Sequence, residues 1–204
     1  MIAIINYGLG NIEAFVNIYR RQKIDVRVAS VVDELEGVTK LILPGVGAFD
    51  WAMTRLNASG LRGRIDELVL KEKVPVLGIC VGMQMMGSRS EEGKLNGLDW
   101  ISGEVCRFDT LKFSQKIRLP HMGWNDVVPR SKGGIFSGLG TGARFYFLHS
   151  YYFSAFEEDE VLADTDYNGV FASSVHSANV YGVQFHPEKS HHWGGRLLEN
   201  FARL

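Results

Sequence analysis

The chain reads as an α/β protein: a central, mostly parallel sheet flanked by helices, with an added antiparallel portion in the C-terminal half. Three observations predict this. Short continuous apolar runs, as strands buried on both faces require, recur in the first half. Segments with helical apolar spacing stand between them, and that alternation builds a parallel sheet covered by helices. After about residue 98, strand-like runs follow one another with only turn residues between, as antiparallel neighbours do.

The first strand is Ile2–Ile5, closed by Asn6-Tyr7-Gly8. Ile12, Phe15, Val16 and Tyr19 then recur at helical spacing. Residues 26–29 read as the second strand and 40–43 as the third, which ends at Pro44-Gly45. Leu61, Ile65, Leu68 and Val69 mark an amphipathic helix leading into a strand over 74–79. Beyond it, residues 103–108, 117–119, 124–128, 144–152, 160–167, 170–176 and 179–185 read as strands. A final helix carries Trp193, Leu197, Leu198 and Phe201. The acidic run 157–160 reads as a solvated loop. No repeat, low-complexity tract or linker interrupts the chain, so a single domain over 1–204 is expected.

Composition narrows the function classes. Hydrophobic residues make up 46% and charged residues 22%, which excludes intrinsic disorder as the overall state. Lys plus Arg is 22 against 23 for Asp plus Glu, so a net charge of -1 leaves no broad basic field for nucleic acid or acidic lipid. Two cysteines are too few for a disulfide scaffold. The first residues lack a basic leader and a cleavage site, and no stretch approaches the roughly 20 apolar residues of a membrane span. A soluble protein of a reducing, cytoplasmic compartment is expected, with neither nucleic acid nor membrane as partner.

The sharpest chemical signal is Gly78-Ile79-Cys80-Val81-Gly82, a G-x-C-x-G sequence at the end of an apolar run. It has the form of a nucleophile elbow with Cys in place of Ser, in which a tight strand-to-helix turn pushes the nucleophile out of the sheet. The start of the following helix would favour a thiolate. The alternative is a buried structural cysteine beside packing glycines; Cys106, in a strand-like run with no flanking glycines, reads as structural. A thiolate nucleophile needs a base, and the base an orienter. Gln184-Phe185-His186-Pro187-Glu188 offers both: in an extended segment His186 and Glu188 project to one side, and Pro187 restricts His186 to extended backbone. Glu188 would fix the imidazole tautomer and leave the other ring nitrogen for Cys80. His176 reads as a strand residue without a role, and His191 and His192 as solvated residues at a helix start. Leu43-Pro44-Gly45-Val46-Gly47 ends another buried strand and is expected at the same sheet edge. Its backbone N–H groups, with that of Val81, can face an oxyanion. No G-K-[ST] follows, which disfavours a phosphate loop and leaves a plain turn as the alternative.

These three elements, in this order, resemble the triad-type (class I) glutamine amidotransferases. The likeness extends through Asn6-Tyr-Gly-Leu-Gly-Asn11, Ser90-Glu-Glu-Gly93, Pro120-His-Met-Gly-Trp-Asn125, His149-Ser-Tyr151 and Gln184-Phe-His-Pro-Glu-Lys-Ser190, and so spans the chain. Within the family it is similar to the glutaminase subunits whose ammonia passes to a (βα)8-barrel cyclase of the HisF kind, in a heterodimer that closes an imidazole ring in histidine biosynthesis. The resemblance implies Cys80, His186 and Glu188 as the triad, Val46, Gly47 and Val81 at the oxyanion, and Gly47, Gln84, Ser150 and Tyr151 around substrate glutamine. It implies Asn11, His121, Trp124, Asn125, Tyr146 and Lys189 at the partner interface, leaves His149 as a packing residue, and calls for no metal and no cofactor. Asn6 stands where the family commonly has Asp, and Val81 where it has Leu. The tail Ser190-His-His-Trp-Gly-Gly-Arg is similar to relatives that supply ammonia for amidino sugars of surface polysaccharides, which leaves that acceptor as an alternative. A cysteine peptidase and a non-catalytic interaction subunit are the rival classes; the second would lack a triad member, and all three are present.

Overall fold

Five parallel strands form the spine of the protein in a computed structural model that describes residues 1–109, 118–140 and 142–204. They are β1 (Ile2–Ile5), β2 (Val26–Ala29), β3 (Lys40–Gly45), β4 (Val76–Cys80) and β12 (Val180–Val183), in the order β2-β1-β3-β4-β12. Antiparallel β11 (Val170–Ser177), β10 (Val161–Asp166) and β7 (Val128–Pro129) extend the sheet from β12. The α/β class with an antiparallel addition is therefore the observed one. Every residue of β1 and β4 is buried, as strands covered on both faces must be, whereas edge strand β2 keeps polar Arg27 half-exposed.

Helix α1 (Ile12–Arg21) buries Phe15, Val16 and Tyr19, and α5 (His191–Ala202) buries Leu197, Leu198 and Phe201 with Trp193 half-buried beside them. The sequence reading missed α2 (Phe49–Ala58), although its buried Phe49, Ala52, Met53 and Leu56 follow the i, i+3, i+4, i+7 pattern of a helix face. The expected helix at 61–69 is α3 (Arg62–Asp66), which continues as a wider π turn over Glu67–Lys71. The helix after Cys80, α4 (Val81–Gln84), is only 4 residues long. Its aligned dipole is correspondingly small.

Two runs read as single strands are each divided. Residues 144–152 break at Ser150 into β8 (Arg144–His149) and β9 (Tyr151–Ala155), which pair with β6 (His121–Asp126) and β5 (Gly103–Arg107) respectively. Residues 124–128 break after Asp126, and Val128 joins the main sheet through β10. Of the expected strand 117–119, residue 117 lies outside the described residues, and Arg118 and Leu119 are not in a strand. The acidic run makes a short 3-10 turn in which Glu157, Glu158 and Asp159 are solvated as expected, Glu158 paired to Arg130 at 2.7 Å, while Glu160 is half-buried. No helix among the described residues is long and apolar enough to cross a membrane.

β1, β3, β4 and β12 all end at one sheet edge, placing Asn6, Gly45, Cys80 and Gln184 there. The crevice outside the carboxyl ends of parallel strands is where open α/β sheets hold ligands.

Candidate active site

Cys80 closes β4 with φ 56° and ψ −114°, a conformation that non-glycine residues rarely adopt and that marks a strained turn. The flanking glycines do not carry the strain. They supply clearance: a methyl on Gly82 would overlap the Leu43 carbonyl, and one on Gly45 would overlap the Gly82 amide. β3, β4 and α4 can therefore touch, and the turn lifts the Cys80 side chain toward the crevice.

His186 follows β12. Its N–H donates to the Tyr146 carbonyl at 2.8 Å, and its carbonyl accepts from the Ser190 hydroxyl at 2.6 Å. Ser190 in turn accepts from the Tyr146 N–H at 3.0 Å, so β8 and this buried serine hold the His186 backbone from both sides. His186 is extended, as Pro187 predicts, but residues Pro187–Lys189 form a 3-10 turn. Glu188 thus reaches the ring across that turn rather than by strand alternation, and its Oε1 lies 2.8 Å from His186 Nδ1. Nδ1 being occupied, Nε2 remains for Cys80. Burial works against a charged His186, but its hydrogen bonds to Cys80 and to Glu188 outweigh that and push it up to about 10. A protonated imidazole between two anion-forming groups results.

A cleft of about 340 Å³ opens over this pair. Val46, Gly47, Val81, Gln84, Ser150, Tyr151 and Lys189 line it with Cys80 and His186, while Glu188 sits behind the ring. Both hydrogens of the Gln84 amide are used, on the Tyr151 carbonyl and on Gln184, so only its oxygen is left for a ligand. Three contributors were not singled out from sequence. Tyr7 donates its hydroxyl to the Pro44 carbonyl at 2.6 Å, and burial, with Cys80 adding to it, raises its pKa. Glu92, part of the Ser90-Glu-Glu-Gly93 motif, accepts from the Phe49 N–H at 2.8 Å and lines the cleft. Gln184 places Nε2 3.8 Å from the Cys80 sulfur. Tyr7 and Glu92 clamp the two ends of the Pro44–Phe49 segment and leave Val46, Gly47 and Ala48 exposed between them.

The expected interface residues divide into two groups. Trp124 is exposed, stacks on His191 at 5.1 Å and meets Tyr146 edge-on, and the Lys189 ammonium lies 5.8 Å over the Tyr146 ring. His191 is therefore a stacking partner rather than a freely solvated residue. Asn11 is exposed and caps α1 by accepting from the Ala14 N–H at 3.3 Å. His121 departs from the expectation: it is buried, sandwiched between Phe147 and Tyr167, and offers no face for docking. Half-buried Asn125 is tied to it.

These side chains form a directed chain. Asn125 Nδ2 faces the Asp166 carbonyl at 2.9 Å and His121 Nε2 at 3.3 Å, His121 Nδ1 faces His149 Nε2 at 3.0 Å, and His149 Nδ1 faces the Tyr151 carbonyl at 2.8 Å. Carbonyls only accept, so the two ends fix one consistent set of tautomers in which both rings are neutral. Burial pushes His121 down to about 4; burial first, then the neighbouring His121, pushes His149 down to about 3. An unfolded chain protonates both near pH 6.5, so between that pH and about 4 it binds more protons than the folded chain, and stability is lost as the pH is lowered through that range. His186, charged in the folded chain, offsets part of that slope near pH 6.5 and none of it below about pH 5.5, where the unfolded chain protonates it too. Urea unfolding between pH 7 and 4.5 should show up to two protons taken up, and His149→Gln should remove one. A wild-type slope equal to the variant's would refute the neutral pair.

Among the described residues, no three His, Cys, Asp or Glu side chains gather as a metal site. The strained cysteine, carboxylate-oriented histidine and glycine-rich loop define a class. The chain matches the family of class-I glutamine amidotransferases over residues 3–203 and belongs to it. Its relatives include the imidazole glycerol phosphate synthase subunit HisH of Bdellovibrio bacteriovorus, 56% identical over 100% of both chains. The protein of the same name from Leptospira interrogans is 45% identical, again over 100% of both. A solved glutamine amidotransferase superposes with a TM-score of 0.73 at 20% identity, covering 100% of this chain and 99% of that one, which speaks to the fold.

Proposed function

We propose that residues 1–204 form one glutaminase domain, the HisH-type subunit of a cytoplasmic imidazole glycerol phosphate synthase, which hydrolyses glutamine and passes ammonia to a (βα)8-barrel cyclase of the HisF kind in a heterodimer. The observation that carries it is His186, held by Glu188 at 2.8 Å and lining one cleft with Cys80.

In this reading the Cys80 sulfur attacks the side-chain amide carbon of glutamine. The carbonyl oxygen gathers negative charge against the backbone N–H of Val81 and that of the Val46–Gly47 segment. His186 gives its proton to the departing nitrogen, which leaves as ammonia, and a γ-glutamyl thioester remains. His186, now neutral, takes a proton from water; the hydroxide oxygen displaces sulfur, glutamate leaves and the thiolate–imidazolium pair returns. Glu92 supplies a carboxylate for the α-ammonium of glutamine, and Ser150, Tyr151 and Gln84 shape the rest of the pocket. Ammonia that reached solvent would be protonated and lost as a nucleophile, which is the physical reason for a partner docked over the mouth. Trp124, Tyr146, Lys189 and Asn11 lie on the surface it would cover.

His186→Ala should lose both proton transfers and lower glutamine turnover by about 10²–10⁴-fold or more. Glu188→Gln should cost less, since an amide oxygen can still accept from Nδ1. Steady-state glutaminase assays order the two, and a wild-type rate in the His186 variant removes it from the mechanism. For the pathway, this gene with its own barrel partner should restore growth without histidine to a strain lacking its glutaminase subunit. Failure to restore growth by an active glutaminase would favour the amidino-sugar acceptor.

A further inference from the structure

Gln84 Nε2 lies 3.0 Å from the Tyr151 carbonyl and 3.0 Å from Gln184 Oε1. A backbone carbonyl only accepts, so the Gln84 atom facing it is the nitrogen, and the sense of that amide is set. The second hydrogen of this nitrogen points at Gln184, whose facing atom must then be its oxygen. The Gln184 nitrogen is thereby turned onto the Cys80 sulfur at 3.8 Å. Both side chains are buried, Gln184 completely, so neither can trade this arrangement for water.

We propose that Gln184 is a catalytic residue that donates an amide hydrogen bond to the Cys80 sulfur, and that Gln84 is the positioning residue fixing the sense of that amide. This rests on Cys80 being the nucleophile. An N–H aimed at sulfur favours the thiolate over the neutral thiol, and over the thioester, in which the sulfur electron pair is shared with carbon. Gln184 therefore acts twice: it keeps the nucleophile charged before attack, and it stabilises the charge that returns to sulfur with the electron pair of the C–S bond when water displaces it. The directed amide pair also ties the sulfur to Tyr151 in the substrate wall, through one carbonyl that Gln84 and His149 share.

The test is the pH dependence of Cys80 alkylation by iodoacetamide, read by mass spectrometry in a Cys106→Ala background, since Cys106 is the second free thiol. Gln184→Met keeps the volume and removes the donor, and should move the acid limb of the profile upward by roughly 0.5–1 pH unit. Gln184→Glu sets a carboxylate beside the sulfur and should move it further. Turnover should fall more than KM for glutamine rises. Gln84→Met, which frees the Gln184 amide to rotate, should give a smaller shift in the same direction and decides the matter if the Gln184 variants do not fold. A limb that coincides with the parent's in a folded Gln184→Met protein overturns the proposal, as does coincidence in Gln84→Met where that variant decides. A parent chain whose glutaminase activity survives alkylation of Cys80 overturns the nucleophile assignment, and this proposal with it; a parent that alkylates and inactivates normally isolates the failure to Gln184.

Discussion

Cys80→Ala is expected to abolish glutamine hydrolysis, a loss of about 10⁴-fold or more, while the complex with the proposed cyclase partner still forms product from added ammonium salt. Alanine keeps the Cβ that the elbow conformation at φ 56° already accommodates, so the turn, the sheet edge and the cleft wall should be preserved. Only the sulfur is removed, with its contacts to the Leu148 carbonyl and the Gln184 amide. Ammonium-dependent product shows that the acceptor half of the reaction is intact, and co-elution of the variant with its partner shows that fold and docking are kept. Glutamine-dependent turnover near the wild-type rate would remove Cys80 from the mechanism. Cys106→Ala is the matching control, since that half-buried thiol on β5 lies away from the cleft and its loss should leave the rate unchanged.

Much of this architecture is legible in the sequence because its signals are local. β1 and β2 have the bounds that their apolar runs suggest, and α1 holds every helically spaced residue that predicts it. Cys80 and His186 are 106 positions apart, yet each sits just past an apolar strand run, and parallel strands bring their carboxyl ends to one edge. What a local signal cannot carry is the choice of partner. Residues 144–152 show continuous strand propensity, and nothing in that run says that His149 pairs with β6 while Tyr151 turns to β5. His121 belongs to a motif with exposed Trp124 and is nonetheless buried, because the alternation of β6 turns it inward onto Phe147 and Tyr167. The clamps of Tyr7 on Pro44 and Glu92 on Phe49, and the Gln84–Gln184 pair, join positions 37, 43 and 100 residues apart. Only the assembled fold places those donors opposite their acceptors. The missed helix α2 is different, since its i, i+3, i+4, i+7 set was present in the sequence to be read.

The free chain is expected to bind glutamine but to turn it over slowly, and docking of the proposed barrel partner with its own ligand should accelerate hydrolysis by about 10²–10³-fold. The device is the exposed stretch Val46, Gly47 and Ala48, held at one end by Tyr7 on the Pro44 carbonyl and at the other by Glu92 on the Phe49 N–H. Between fixed ends, the Val46–Gly47 peptide can rotate about its neighbouring bonds and present either its carbonyl or its N–H to the place where the oxyanion forms. Gly47, at φ 88° with open space where a Cβ would stand, lets the backbone adopt that conformation without a steric penalty. Only the N–H orientation stabilises the intermediate, and one such donor accounts for the stated factor. Val46 is 38% exposed beside the cleft, on the surface a partner would cover, so docking can favour one orientation over the other. Gly47→Ala should therefore depress the activated rate far more than it weakens glutamine binding, because a side chain at φ 88° is strained whatever space surrounds it. Steady-state glutaminase assays of the free chain, of the complex, and of the complex with cyclase ligand measure the switch directly. A free chain already working at the rate of the liganded complex would leave the loop as a fixed oxyanion hole and place control of the glutaminase elsewhere.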